Sequence, residues 1–279
     1  MYYKIVMDSC GELPEEKKKN RIFELIPLTL MVDELQIVDD ETFDQKDFIR
    51  RVSESPNCPK SACPSPERYR EAYEGGYDCV FAVTLSEQLS GSYNSAVLGK
   101  KLFEEDNKTT KVHVFNSRSA SVGQTQIAYR VQELAEEGVP FEELVERVEA
   151  FIDAMDTYFV LETLDTLRKN GRLTNLQAII ANVLSIKPIM GATPDGNICK
   201  LDQMRGMNKA LAKMAEIVVR NVKEPEKKRL MISHCNCPDR AELVRKLILD
   251  KITVRETVIL DTAGVSTMYA NDGGVIVTI

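Results

Sequence analysis

Serine and glycine crowd residues 85–96 (LSEQLSGSYNSA), straight after the apolar run of residues 79–83. A strand that stops in such a loop before a helical pattern brings hydroxyls and free backbone N–H groups to a helix N-terminus, which suits an anion. A second hydroxyl-bearing loop lies upstream at residues 58–66 (CPKSACPSP). Making these serines nucleophilic takes a base within hydrogen-bond reach, usually histidine. Only His113 and His234 are present, one within a predicted strand and the other at the end of a strand in the other half. There is no GxSxG elbow, no GxxxxGKS/T loop and no GxGxxG loop. The pattern therefore points to a protein that holds a negatively charged group, with no catalytic residue assigned.

Other loops carry weaker signals. Asp8 and Ser9 follow the first predicted strand, where open α/β sheets place ligands, although either residue could simply cap a helix. Residues 116–119 (NSRS) repeat that situation. Arg172, in LRKNGRLTNLQ, could meet an acidic ligand, a partner, or a nearby helix C-terminus. His234, Cys235 and Cys237 form the one local cluster of metal-ligand types. Their CxC spacing lacks the paired units of structural zinc, and a strand would send His234 and Cys235 to opposite faces. No metal site is expected.

The elements that must position these loops read as alternating strands and helices. The first part shows strands at residues 3–7, 23–32, 79–83 and 112–115, with helices at 42–53, 66–73, 91–104, 120–137 and 141–153. Alternation of this kind implies a mostly parallel sheet flanked by helices. After residue 156 come strands at 157–161, 186–192, 197–201, 229–233, 253–260 and 275–279, with helices at 175–185, 203–220 and 239–249. A hairpin together with crossovers suggests a mixed α/β sheet. The expected fold is thus α/β in two domains, 1–155 and 156–279.

With 279 residues, two domains are a reasonable expectation. The formal net charge of −7 is spread along the chain and argues against a nucleic-acid surface, which needs clustered Lys and Arg. No apolar run reaches the ~18 residues of a membrane span. The N-terminus lacks a signal-peptide pattern, and seven scattered cysteines fit a reducing compartment, so a cytoplasmic location is expected.

Several motifs taken together resemble the DegV family of fatty-acid-binding proteins. They are VMDSCGEL near the start, PKSACPSP at 59–66, LSGSYNSA at 89–96, LRKNGRL at 167–173, SIKPIM at 185–190 and RGMNKAL at 205–211. They span nearly the full length in the family's order. The resemblance implies two α/β domains with a long acyl chain between them. It implies no cofactor, and a carrier that presents a fatty-acid carboxylate to a separate fatty-acid kinase without being a catalyst itself. Ser61 and Ser90 stand where the family places hydroxyls on the carboxylate, and Gly91 belongs to the same motif. Arg205 matches an exposed Arg that serves the kinase encounter. The family often ends in a GTHTGPG-like loop with a His near the carboxylate. Here residues 266–274 read STMYANDGG, so Thr267 survives and Met268 takes the His position. Transient membrane contact is compatible with such a carrier.

Burying ~14 methylenes of a C16 chain at ~0.8 kcal/mol each gives roughly 11 kcal/mol gross. Ordering and lost translation remove much of it. The tail then supplies affinity and the hydroxyls supply orientation. The apolar helix expected over residues 178–184 could line the tunnel. Two alternatives remain at this level: a hydrolase or acyltransferase using Ser90 or Ser61, and a sensor of a smaller acidic ligand.

Overall fold

The computed structural model describes residues 2–173 and 185–279. The helix expected over 175–185, apart from Ser185, and the tunnel wall expected at 178–184 lie outside the described residues.

Four strands form a parallel sheet: β1 (Tyr3–Asp8), β2 (Phe23–Ile26), β6 (Cys79–Thr84) and β7 (Lys111–Asn116), in the order β2-β1-β6-β7. Every residue of β6 is buried, as expected of a parallel strand covered on both faces. The period-two alternation divides the side chains cleanly. Ile5, Met7, Phe81 and Val83 point into one core, with α5 (Val122–Glu136) and α6 (Phe141–Asp153). Val6, Val80 and Ala82 point into the other, against α3 (Pro66–Ala72) and α4 (Ser92–Asp106).

A six-stranded mixed sheet follows, in the order β10-β9-β8-β13-β11-β12. Its strands are β8 (Thr157–Val160), β9 (Ile186–Ala192), β10 (Ile198–Arg205), β11 (Arg229–His234), β12 (Glu256–Asp261) and β13 (Val275–Thr278). Only β11 and β12 pair in parallel. One face carries α8 (Met207–Asn221) and α9 (Pro238–Leu249) over an apolar core. The other face meets α5, through Met231, Val258, Leu260 and Ile276. Helix α5 is therefore packed between both sheets, and only Arg130, Glu133 and Glu136 escape full burial along it.

A small antiparallel sheet, β4 (Leu35–Val38), β3 (Thr29–Val32) and β5 (Lys60–Ala62), stands to one side. Leu28, Leu30 and Val32 pack against Phe48 of α2 (Gln45–Glu54) and against Val265 and Met268 of α10 (Gly264–Ala270).

Three expectations are corrected. The run 23–32 is not one strand: Pro27 has no N–H for a ladder, and the chain leaves the parallel sheet there to begin β3. The helix expected over 203–220 begins only at Met207, because β10 continues through Arg205 and Gly206 turns the chain at φ +84. The stretch 266–274 is not a loop throughout, since residues 264–270 form α10. Strands β4 and β5 were not expected.

Helices α3 and α4 approach closely at Gly99. A Cβ there would fall 2.6 Å from the Pro66 carbonyl oxygen and 2.7 Å from the Tyr69 Cβ. Gly99→Ala is expected to destabilise the protein by about 1–3 kcal/mol through overpacking. Urea denaturation checks this as a lowered midpoint at unchanged slope.

Candidate functional site

A narrow cavity of about 100 Å³ lies beside the N-terminal end of α5. Leu85 and Leu89 from the loop after β6 form one side, Phe159 and Leu161 another, and Val265 and Tyr269 of α10 a third. Its wall is mainly apolar and is drawn from both halves of the chain. The volume is below the ~300 Å³ at the small end of usual ligand sites. A wider groove of about 750 Å³ runs past Glu12, Lys18, Asp39, Gln45 and Asp261, with charged side chains set among apolar ones.

Four segments meet beside the apolar cavity, at a corner where Leu89, Arg172 and Tyr269 line it and Ser61 stands behind Tyr269. Ser61 sits on β5, opposite Leu30, and its Oγ is 3.5 Å from the Tyr269 hydroxyl. The Arg172 guanidinium lies 5.7 Å from the Tyr269 ring centre, a cation–π contact. Arg172 also donates from Nε to the Leu89 carbonyl at 3.0 Å and from Nη1 to the Asn170 carbonyl at 2.6 Å. Asn170 in turn donates to the Pro59 carbonyl at 3.0 Å, which ties the 58–66 loop to the turn after α7 (Asp165–Lys169). Burial raises the Tyr269 pKa, while Ser61 and Arg172 oppose that rise.

Ser90 and Gly91 lie at the start of α4. The Ser90 Oγ accepts from the Ser92 N–H at 3.2 Å, which leaves its own O–H free to donate. A Cβ on Gly91 would stand 3.1 Å from the Cys63 Sγ, so the two hydroxyl-bearing loops touch at this point.

Thr267 and Met268 do not join the corner. On α10 the cavity face carries Val265, Ser266, Tyr269 and Ala270, spaced as one helical face requires. Thr267 instead meets the Thr262 hydroxyl at 2.8 Å and receives a bond from Gln45 at 3.3 Å. Met268, 1% exposed, packs with Leu30 and Phe48. Arg205 is also distant in kind: it is exposed at the end of β10, with no ion pair among the described residues. Tyr269 is the residue that sequence reasoning missed. Its stretch matches a loop motif, and only the formation of α10 puts it on the cavity face.

Neither histidine reaches Ser61 or Ser90. His113 is 3.4 Å from Glu149, and His234 accepts from the Cys237 N–H at 3.3 Å with Asp261 3.4 Å away. Burial lowers the His234 pKa. Among the described residues, no group of His, Cys, Asp and Glu is placed to hold a metal ion.

Three buried acids, Asp8 at the end of β1, Glu12 in the loop after it and Asp39 just past β4, organise this region. Asp8 accepts from the Leu85 N–H at 2.9 Å and from Gln124 at 2.9 Å. Asp39 accepts from Ser9 at 2.8 Å and from the Gly264 and Val265 N–H groups at 2.7 and 2.9 Å, which seats the start of α10. Glu12 accepts from Ser121 at 2.8 Å. Burial pushes Glu12 up to about 7 and Asp39 up to about 6. These contacts give Asp8 and Ser9 structural partners within the protein.

A family model described as uncharacterised protein, DegV family, matches residues 2–278. The chain belongs to the DegV family. A DegV domain-containing protein of Streptococcus pneumoniae is 32% identical over 99% of this chain and 98% of its own length. A solved DegV-family structure from Ruminococcus gnavus, described with vaccenic acid, superposes at a TM-score of 0.97 with 50% identity, covering 100% of this chain and 99% of that one. The fatty acid kinase B3 protein of Streptococcus pneumoniae, solved loaded with linoleic acid, superposes at 0.90 with 31% identity, covering 100% and 99%. Among the described residues no helix is long and apolar enough to cross a membrane.

The Glu12 carboxyl titrates near its ordinary 4.5 when unfolded and at about 7 when folded. Below both values it is protonated in either state. Between them the unfolded chain releases the proton and the folded chain retains it, so this group's effect on stability worsens as pH rises from about 4.5 to about 7, then levels off. The expected loss is about 3 kcal/mol at most. Urea unfolding at pH 5 and at pH 8 should show wild type losing stability relative to Glu12→Gln.

Proposed function

We propose that this protein binds a long-chain fatty acid with its tail between the two sheets and its carboxylate at the Ser61–Tyr269 corner, and presents that carboxylate to a fatty-acid kinase. The observation that carries this reading is an apolar cavity whose wall includes Tyr269, with the Ser61 hydroxyl 3.5 Å from the Tyr269 hydroxyl and neither histidine beside them. An alkyl chain matches the walls and an anion matches the corner. The fatty acids of the Ruminococcus and Streptococcus relatives belong to the same chemical class. No cofactor enters the reading.

The division of labour follows from the chemistry. Ser61 donates from a short strand, and Ser90 donates while its oxygen caps α4. Gly91 lets the two loops stay in contact. The carrier holds the acid, and the kinase supplies the phosphoryl group. Residues 1–155 and 156–279 act as the two domains, divided between α6 and β8, in a cytoplasmic carrier.

Native mass spectrometry of the purified protein should find a co-purified long-chain acid, removable by delipidation and restored by oleate or palmitate. Ser61→Ala and Ser90→Ala should each weaken reloading by about 1.5–3 kcal/mol, the worth of a hydrogen bond to a charged acceptor. Calorimetry showing both variants equal to wild type overturns the site.

Arg205, exposed at the end of edge strand β10, is proposed as a contact for the kinase. Arg205→Ala should leave lipid loading intact and slow acyl-phosphate formation at limiting carrier concentration, since an exposed charge acts on association rate. Unchanged kinetics at equal loading reject that role.

A further inference from the structure

The carboxylate's charge has to be met by groups at one end of the cavity, and two guanidiniums border it. Arg118 is 2.5 Å from Asp153 and 3.8 Å from Glu149, so its charge is matched. Arg172 has no acidic partner among the described residues. Positive charge is therefore in excess at the Tyr269 corner, and an anionic head group turns toward it.

The hydroxyls at that corner are oddly spaced. Ser61 and Tyr269 stand 3.5 Å apart, which is long for an O–H···O bond between them. Two hydroxyls that each donate over about 2.7 Å to one shared acceptor oxygen lie about 3.5–4.5 Å apart. We propose that Tyr269 and Ser61 donate jointly to one carboxylate oxygen of the bound acid, with Arg172 fixing the Tyr269 ring from its face. This assignment rests on the fatty-acid reading above and adds the residue that meets the charge.

Arg172 is held for that task. Its bonds to the Leu89 and Asn170 carbonyls fix the guanidinium against the ring. A cation on the face of a phenol draws electron density from it and makes its O–H a better donor. The same cation lowers the Tyr269 pKa against the rise from burial. The residue in the family's His position, Met268, offers no hydrogen bond and faces the core, so it takes no part. Helix α10 turns the next side chain, Tyr269, to the cavity instead.

Tyr269→Phe removes the hydroxyl and keeps the ring. The experiment loads wild type and variant with palmitate carrying ¹³C at the carboxyl and follows the bound carboxyl's titration by NMR. Affinities for palmitate and for methyl palmitate are measured in parallel. The expected result is a bound-acid pKa about one unit higher in the variant, palmitate binding about tenfold weaker, and methyl palmitate binding unchanged. Retained methyl palmitate binding also shows that the variant is folded. Wild type that binds no palmitate overturns the fatty-acid reading, and this assignment with it. Wild type that binds palmitate, beside a variant with the same titration and affinity, overturns only the role of Tyr269. Equal loss of both lipids overturns it as well, because the hydroxyl would then shape the wall without meeting the charge.

Discussion

Helix α5 is the member shared by both sheets, and its three consecutive buried polar residues fix how they sit. Successive helical residues point about 100° apart, so Gln124, Thr125 and Gln126 address three directions. Gln124 reaches Asp8 of β1, Thr125 the Glu12 carbonyl, and Gln126 the carbonyls of Arg229 and Thr278 in the mixed sheet. A buried polar group left without its partner costs about 1–3 kcal/mol, so any sliding of one sheet over the helix breaks bonds it cannot replace. The Gln124 Oε1 and the Thr278 Oγ1 have no partner among the described residues even in this arrangement. The cavity lies just beyond the helix's first turn, bordered by Ser119, Ala120 and Ser121. Its width is therefore a consequence of where α5 holds the two sheets.

Behind that cavity runs a polar seam of unusual sign. Glu12, Asp8 and Asp39 are buried within the loops that back it, and burial raises the pKa of all three. A carboxyl that holds its proton more tightly exerts less repulsion on an anion nearby. Serines separate these acids from the cavity: Glu12 bonds Ser121, which also meets Ser233 at 2.7 Å, and Ser266 bonds the Cys10 carbonyl at 3.0 Å. The acids thus organise loops and the start of α10, and hydroxyls face the ligand space.

Much of this was legible beforehand because the parallel sheet announces itself. A strand buried on both faces reads as an unbroken apolar run, and β6 is such a run. The hydroxyl loops after β6 and in 58–66 were visible as composition, and they do touch at Gly91 and Cys63. The short strands β4 and β5 carry too few residues for a period to show. Arg205 was misplaced because the apolar spacing of 203–220 hid a turn that depends on one glycine's backbone. Thr267 and Met268 were chosen by motif position. Helical geometry instead gives the cavity to Ser266 and Tyr269, and no linear pattern marks which face of a two-turn helix looks inward.

The narrowness of the cavity bears on timing. With walls contributed by both halves and about 100 Å³ between them, an alkyl chain lodged as proposed would leave no faster than the walls part. Residence is then governed by the opening of the protein and much less by the strength of contacts at the head. A cargo that leaves slowly is ill suited to diffusing from one protein to another. Under the proposed function it would favour chemistry performed in place, with the partner's reactive group brought to the half-buried rim where Ser61, Tyr269 and Arg172 meet.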